Sequence, residues 1–302
     1  MVVHSRSLSR RFFLVGNTIF LSFAAALCLF PMAHVLALSF SSARAAAAGR
    51  VSLFPVEFTL ASYAYVAQKS EFWQSFSVSL QRIGIALPLM IFVTVLAAYP
   101  LSKDRSRFPA RTFYTYFFLV PMLFSGGLIP SYLVIRQVGL IDRLLGLILP
   151  QAVVVFYCIL LMNFFRDMPK EIEEAAIVDG AGPLTTLFRI IIPLAKPPIA
   201  TIALFIIVGH WNEWFMAIII MNSPEKYPLQ TYLQSVIAPT AVETAVSSQS
   251  SMTPAELDRM REISDRTFKA AQIFVAMVPV LMIYPFLQKY FTKGLVLGSV
   301  KG

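Results

Sequence analysis

The sequence predicts an all-α membrane protein with about six transmembrane helices, formed as a single domain over residues 1–302. Of its residues 57% are hydrophobic and only 14% are charged, whereas about a quarter of the residues in a typical soluble domain are charged. Six apolar stretches each reach about 20 residues, which is the length that a helix needs to cross the hydrocarbon core of a bilayer. A polar segment at residues 166–194 separates the fourth stretch from the fifth.

The predicted spans follow one another along the whole chain. They cover residues 12–40, 78–101, 113–135, 144–165, 195–221 and 270–290. The first is longer than the apolar core of a cleaved signal peptide, which is about 7–15 residues, so we expect it to be retained. Gly126, Gly127 and Pro130 predict a break in the third span, and Pro279 and Pro285 predict bends in the sixth.

Lysine and arginine indicate the orientation of these spans. The short loop from Lys103 to Arg111 carries four basic residues and one acid, which predicts a cytoplasmic position. Both termini and the 166–194 loop then lie in the cytoplasm, and the loops at 41–76 and 222–269 lie outside. Within the last loop, Thr253 and Pro254 predict the start of a helix that is either a docking ledge or a solvated extension of the sixth span.

The 166–194 loop predicts two short helices joined by a turn. Asp167 can cap the first helix, with Pro169 in its first turn. Ile172, Ala175 and Ala176 then share one face, where the two alanines allow a partner surface to come close.

Glycine and proline mark the ends of these two helices. Gly180 can end the first helix in a left-handed conformation. Gly182 and Pro183 can begin the second helix, and Pro193 can stop it. The sequence therefore predicts a compact helix-turn-helix between two spans.

This loop resembles the EAA loop of the permeases of bacterial ABC importers. The resemblance is carried by Glu174-Ala175-Ala176, by Gly180 after three intervening residues, and by the Ile190 to Pro193 run, with Ile192 where the family usually has Leu. It implies a type I ABC-importer permease architecture, in which this loop is the coupling helix that enters a cleft of the ATPase. The residues that it would assign to ATPase coupling are Glu173, Glu174, Ala175, Ala176, Asp179, Gly180, Ile190 and Pro193.

The fifth span contains an unusual polar run, Trp211-Asn212-Glu213-Trp214. At about 1.5 Å per residue, Glu213 lies roughly 12 Å below the outer end of this span. A carboxylate at that depth costs at least a few kcal/mol unless it faces water or a partner, so Glu213 should face the bundle interior or the pathway. The tryptophans can stack on sugar rings or serve as core aromatics. Arg82 has the same burial problem but lies near the outer end, where it can snorkel.

The C-terminal segment resembles the tail of the second permease subunit of maltose-type importers. In that family this tail reaches between the ATPase subunits, which would place Lys293, Gly294, Lys301 and Gly302 in contact with them. A frayed basic tail is the alternative. Gly126-Gly127-Leu128-Ile129-Pro130 is similar to the branch that imports complex oligosaccharides, including uronate-containing fragments.

The resemblance implies a permease subunit rather than an enzyme. Its implied partners are a second homologous permease, two ATPase subunits, an external solute-binding protein and membrane lipid, with no nucleic acid. The chain has no Gly-x4-Gly-Lys-Ser/Thr phosphate loop, so ATP and Mg²⁺ are expected on the ATPase and no cofactor or metal on this chain. The implied location is the bacterial plasma (inner) membrane.

Other classes fit the sequence less well. The net charge of +9 does not indicate nucleic-acid binding, because the basic residues are scattered at the ends of spans. Cys28 and Cys158 both lie in apolar stretches and are expected to be core residues. An ion-coupled secondary transporter would favour inverted repeats and several intramembrane charges. An intramembrane enzyme would need a catalytic constellation that His34 and His210 alone do not supply.

Overall fold

The computed structural model describes residues 8–237 and 265–298, and no β-strand occurs in these ranges. The α-helices are α1 (Leu8–Ser39), α2 (Ala43–Ala47), α3 (Ala61–Gln68), α4 (Ser70–Ser102), α5 (Arg111–Leu123), α6 (Leu128–Gln137), α7 (Leu144–Ile148), α8 (Val155–Asp167), α9 (Lys170–Val178), α10 (Pro183–Thr186), α11 (Ile192–Leu194), α12 (Lys196–Asn212), α13 (Phe215–Ile220), α14 (Leu229–Ile237) and α15 (Asp265–Gly298). Within the same ranges, two 3₁₀ turns lie at Leu149–Gln151 and Pro224–Lys226, and one π-helical turn lies at Leu187–Ile191.

The described helices account for up to six candidate membrane spans. Three are single helices long and apolar enough to cross a bilayer, at residues 10–39, 70–102 and 265–283. Three more are bent pairs: α5 with α6 at 116°, residues 144–151 with α8 at 47°, and residues 183–194 with α12 at 80°. When each bent pair is one span, the number agrees with the six spans predicted from the sequence.

The third span breaks where its glycines predict a break. α5 ends at Leu123 and α6 begins at Leu128. Gly127, which precedes α6, has φ +84°, a value that glycine adopts without the steric cost of a side chain. The glycines therefore permit the sharp bend between the two helices.

The fifth span is not the continuous helix that its hydropathy predicts. α12 ends at Asn212 and α13 begins at Phe215. Glu213 between them has an extended backbone, and its carboxylate accepts the backbone N–H of Met216 at 2.6 Å. Because Glu213 serves an amide at the start of α13, the polar side chain stabilises a helix boundary inside the apolar stretch.

The described residues fall into two compact units. One comprises the residues up to Ser70 and those between Val236 and Met277. Within it, Ala37, Ala45 and Val51 form a small core, and the ring of Phe40 stacks on Phe58 with 5.4 Å between centroids. This unit gives structure to the predicted outer loop 41–76, which holds α2 and α3.

The other unit comprises Glu71–Ser235 and the residues from Val278 onward. Its largest core joins apolar residues of α4, α8 and α12 with residues of the segments between α7 and α12. These are Ala86, Met90, Val95, Ala98, Ile148, Leu161, Phe165, Leu187, Ile191, Ala195, Ile202 and Ile206. α4 begins at Ser70, before Val78, where the second predicted span starts, so the helix extends beyond that predicted span.

The two cysteines differ in environment. Cys158 on α8 is buried, as expected, whereas Cys28 on α1 is exposed. The expectation for Cys28 is wrong because the apolar window of α1 buries none of its residues within the chain. An apolar helix with this exposure is suited to contact with lipid.

Candidate functional site

The candidate site has two parts within the larger unit. One is the surface formed by α9, α10 and the turn between them, which we call the coupling surface. The other is the break between α12 and α13, where Glu213 lies.

The first helix of the coupling surface ends as predicted. α9 runs from Lys170 to Val178, and Gly180 beyond it has φ +79°. The N–H of Gly180 donates to the carbonyl of Ile177 at 3.0 Å, and the N–H of Ala181 donates to the carbonyl of Ala176 at 2.9 Å. These two bonds and the left-handed glycine form a Schellman motif, which fixes the direction of the turn.

The predicted start of α9 is wrong. Asp167 is the last residue of α8 rather than the cap of α9, and Pro169 occupies the cap position without a side-chain hydrogen bond. Proline has no N–H to donate, and its restricted φ turns the chain directly from α8 into α9. The two helices are therefore joined by a very short connection.

The coupling surface exposes apolar side chains that a soluble surface would rarely gather. Val178 is 86% exposed, Leu184 is 66% exposed and Ile177 is 55% exposed. Ala176 is buried within the chain, whereas Ala175 and Glu174 are exposed. The predicted shared face is thus divided, because Ala176 packs inward whereas Ala175 is exposed.

The second helix begins as predicted but continues differently. Gly182 and Pro183 precede and open α10, which leads into the π-helical turn Leu187–Ile191. Ile190 is half-buried in this turn. Pro193 lies inside α11, and the chain bends at Ala195, so Pro193 does not itself end the helix.

Glu173 faces the chain rather than a partner. Its carboxylate accepts the hydroxyl of Tyr99 at 2.7 Å, contacts the ammonium of Lys103, and lies 3.2 Å from Nη1 of Arg107. The side chain is only 15% exposed. We call these four residues the Glu173 brace.

The charges of this brace support one another. Burial raises the pKa of Glu173, but hydrogen bonds from Lys103 and Tyr99 and the charges of Lys103 and Arg107 outweigh it, so the pKa lies below its usual value. Burial lowers the pKa of Lys103, and Glu173 opposes that shift. Two cations on one carboxylate favour the ionised form of Glu173.

An apolar groove and a polar cleft flank the brace. The groove holds about 450 Å³ and is lined by the apolar side chains Leu96, Pro100, Phe108, Ile177, Leu184 and Leu187 among others. The cleft holds about 380 Å³ and includes the exposed ion pair of Lys170 and Asp104, at 3.0 Å. The coupling surface thus adjoins the end of α4 directly.

At the other part of the site, Arg82 and Glu213 form an ion pair. Nη2 of Arg82 lies 2.9 Å from Oε2 of Glu213, and Nη1 donates to the backbone carbonyl of Glu213 at 3.3 Å. The side chain of Arg82 is 0% exposed, so the prediction that it snorkels is wrong. It turns inward because Glu213 offers both a carboxylate and a backbone carbonyl at the helix break.

The other residues of the polar run have different surroundings. Trp211 is buried and packs edge-on against Phe76 with 5.7 Å between ring centroids. Asn212 and Trp214 are exposed within the chain. The structure therefore places Trp211 in the core, whereas Asn212 and Trp214 are accessible to a ligand or a partner, and their pathway role stays a prediction.

Asp142 bonds to the segment that follows α13, at Asn222, Ser223 and Lys226, and the sequence did not predict these contacts, which we call the Asp142 tie. Asp142 has φ +58°, and its N–H donates to the carbonyl of Ile220 at 2.8 Å. Its carboxylate accepts the backbone amides of Asn222 and Ser223 at 3.0 and 3.1 Å and lies 2.5 Å from Nζ of Lys226. The bond from Lys226, together with those from Ser223 and the amides, lowers the pKa of Asp142 to about 2.

Some predicted residues lie outside the described part of the chain. Lys293 and Gly294 belong to α15, but their surroundings are outside that part, and Lys301 and Gly302 are outside the described residues. The predicted helix after Thr253 is also outside them. In residues 8–237 and 265–298, no group of three or more His, Cys, Asp or Glu side chains is arranged to hold a metal ion.

Sequence reasoning missed Tyr99, Lys103, Arg107 and Asp142. Lys103 and Arg107 served only as a sign of orientation, although their position right after α4 also allows them to hold a neighbouring acid. Asp142 follows a Gly-Leu-Ile segment and carries no motif. Its role depends on residues about 80 positions later, at Asn222 and Ser223.

Comparison with known proteins gives a consistent set of similarities. Residues 57–296 match the family described as binding-protein-dependent transport system inner membrane component. The chain is 38% identical over 294 residues to Protein LplC of Bacillus subtilis (strain 168), covering 97% of this chain and 96% of that protein. It is 38% identical over 284 residues to the polygalacturonan/rhamnogalacturonan transport system permease protein YtcP of the same organism, covering 94% and 96%.

A solved structure is similar over nearly the full length. It is the crystal structure of a bacterial ABC transporter involved in the import of the acidic polysaccharide alginate. One of its chains superposes with a TM-score of 0.85 at 32% identity, covering 94% of this chain and 98% of that chain.

Proposed function

Since the chain belongs to the family of binding-protein-dependent transport system inner membrane components and is an ABC transporter permease, we propose that it forms half of the membrane pathway of an ATP-driven carbohydrate importer. Family membership confirms the resemblance stated from the EAA-like run. It also sets aside the ion-coupled carrier as an alternative. The observation that carries the proposal is the coupling surface, where Ile177, Val178 and Leu184 are exposed in the segment that follows the fourth candidate span.

The proposed assembly contains four kinds of chain. A second homologous permease completes the pathway, two ATPase subunits receive the coupling surfaces, and a solute-binding protein delivers the substrate from outside. ATP and Mg²⁺ bind to the ATPase subunits, and this chain binds no cofactor. The termini lie in the cytoplasm, where Lys293, Gly294, Lys301 and Gly302 would contact the ATPases. Closure of the ATPases would rock the spans between inward-facing and outward-facing states.

The proposed substrate is an oligosaccharide that contains uronate. Two observations on relatives support this class: YtcP is named for polygalacturonan and rhamnogalacturonan, and the similar solved transporter is described as an importer of alginate. Both are polymers of acidic sugars. Asn212 and Trp214 at the helix break would contact the passing sugar, since an exposed indole can stack on a sugar ring.

Purification of the tagged chain from its native cell in mild detergent tests the assembly. Mass spectrometry should identify a second permease and an ATPase in stoichiometric amounts. Recovery of this chain alone, even after cross-linking, would contradict the proposed assembly.

The substrate class has a separate test. The binding protein recovered with the complex should bind tetragalacturonate in calorimetric titration and should not bind the neutral control maltotetraose. Preference for maltotetraose would reject the uronate class and leave the importer assignment intact.

A further inference from the structure

We propose that α4 is the element that transmits displacement of the coupling surface to the break at Glu213, and that Glu173 is the positioning residue that joins α9 to α4. This inference rests on the proposed function. It differs from ATPase docking, because Glu173 acts within this chain. The contacts at the two ends of α4 carry the argument.

One end of α4 is bonded to the coupling surface. Tyr99 of α4 donates its hydroxyl to Oε1 of Glu173 at 2.7 Å, and Lys103, just after α4, contacts the same oxygen. Nζ of Lys103 also lies 3.8 Å from the centroid of the Tyr99 ring. Because the hydroxyl and the ammonium converge on one carboxylate and also contact each other through the ring, α9 cannot shift without pulling on the end of α4.

A second contact supports the same joint. Nη2 of Arg166, near the end of α8, donates to the carbonyl of Leu101 at 3.4 Å, and the ring of Phe165 packs edge-on against Tyr99 at 6.1 Å. α8 leads into α9 through a short connection. The final residues of α4 are therefore held by α9 and also by the helix that precedes it.

Further along, α4 is bonded to the helix break. Arg82 contacts both the carboxylate and the backbone carbonyl of Glu213. Arg82 and Tyr99 lie within one continuous helix, so about 25 Å of α4 separates the two bonded ends. The backbone hydrogen bonds of α4 run along its axis and oppose its stretching, and the helix continues through Pro88, which lies between these two residues.

The middle of α4 is packed against its neighbours. Ala86, Met90, Val95 and Ala98 are buried and belong to the core shared with α8 and α12. Close packing resists independent movement of single side chains and transmits strain. A shift of α4 would therefore move Arg82 against Glu213, where the chain is already extended and can change its backbone angles.

Glu173 is placed for positioning rather than for docking. Its side chain is 15% exposed, and its oxygens are occupied by Tyr99, Lys103 and Arg107. Glu171 on the same helix is exposed. The same helix thus offers a matched control, in which a carboxylate is removed without disturbing the brace.

The experiment uses the complete complex with its ATPase and binding protein, in a background with Cys28→Ser and Cys158→Ala. A single cysteine replaces Phe215 or Ile218, both exposed on α13 beyond the break. The rate of maleimide labelling is measured without nucleotide and after trapping with ATP and vanadate. Retention of the ATPase on the tagged chain is measured in parallel.

In the protein with the unaltered brace, the cysteine at one of these two positions should change its labelling rate at least about threefold on trapping. Glu173→Gln and Lys103→Met should retain the ATPase and lose most of this change, whereas Lys103→Arg and Glu171→Gln should keep it. A full response in Glu173→Gln would overturn the inference, and so would loss of the ATPase, because Glu173 would then act in docking. No response at either position in the unaltered brace would instead contradict alternating access itself, and with it this inference.

Discussion

Arg82 and Glu213 form an ion pair where α12 ends, and each side chain also bonds to a backbone group at the break. The guanidinium lies 2.9 Å from the carboxylate and also donates to the Glu213 carbonyl, while the carboxylate accepts the Met216 amide. A helix break inside a membrane leaves backbone groups that water does not reach. The ion pair satisfies two of these groups, so one pair of side chains stabilises the break.

Glu213→Gln should destabilise the protein and impair transport. Arg82 is fully buried, and removal of the negative charge leaves it without compensation, at a cost on the order of 3 kcal/mol. The midpoint of thermal unfolding in detergent should fall, and uptake should decrease while assembly is retained. Glu225→Gln, at an exposed carboxylate, is the control.

The double variant Arg82→Met/Glu213→Met sharpens this test. Replacing both charges with apolar side chains avoids an uncompensated charge, so it should unfold at a higher temperature than Glu213→Gln. Equal midpoints for Glu213→Gln and Glu225→Gln would show that the pair contributes nothing to stability.

Gly180→Ala should weaken the attachment of the ATPase. Gly180 has φ +79°, and a side chain in that conformation costs about 1 kcal/mol or more, which would distort the turn after α9. Gly182→Ala is the matched control, because Gly182 has φ −72° and open space around it. The affinity of the ATPase for surface-immobilised permease complexes should fall for the first variant only, and an equal fall for both would refute the role of the turn.

Glu174→Lys should also weaken attachment, through charge rather than backbone geometry. Glu174 is exposed on α9, and its reversal would place a cation where the proposed contact with the ATPase has a carboxylate. We expect roughly a tenfold loss of affinity, which corresponds to about 1.4 kcal/mol. Glu173→Gln in the same assay should show no comparable loss, and a similar loss would show that Glu173 acts in docking and would overturn its positioning role.

The Asp142 tie should be insensitive to pH until strongly acidic conditions. Its pKa falls from the usual 3.8 to about 2, so its contribution is full above the unfolded value and is lost as pH falls through the folded value. Cleavage by trypsin at Lys226 should therefore be slow at neutral pH. Asp142→Asn should accelerate this cleavage at every pH that trypsin tolerates, and an unchanged rate would contradict the tie.

Gly146→Ala should destabilise α7. A Cβ at this position would lie 2.3 Å from the carbonyl oxygen of Leu140 and 3.2 Å from Cδ1 of Ile220. Relief of this overlap requires a backbone shift, at about 1–3 kcal/mol. Gly84→Ala, in α4 with nothing within 4 Å, should be neutral or stabilising, and the difference in unfolding midpoint between the two checks the argument.

The sequence predicts the features that depend on local chemistry. Hydropathy predicts the number of candidate spans, and Gly127 and Gly180 mark a break and a turn because only glycine tolerates those backbone angles without cost. The break at Glu213 was missed because no glycine or proline marks it. Its cause is a side chain that bonds to an amide three residues later.

The contacts of the Glu173 brace could not be predicted from the sequence either, because they join residues that are distant in the chain. Tyr99 and Glu173 are 74 residues apart, and nothing local to either one indicates the other. The resemblance of the loop assigned Glu173 and Glu174 alike to ATPase coupling. Which of three neighbouring glutamates turns inward depends on how α9 packs against the end of α4, which is a property of the fold.

The π-helical turn at Leu187–Ile191 has a consequence for how the lengths of related chains can vary. Such a turn closes its hydrogen bonds between residues five apart, so it holds about one residue more than a turn of α-helix. Loss of one residue from this turn can be absorbed by a return to ordinary helical winding. Related chains can therefore differ in length by one residue at this turn while the elements on both sides keep their positions. A one-residue gap in a sequence alignment requires little structural change when it falls here.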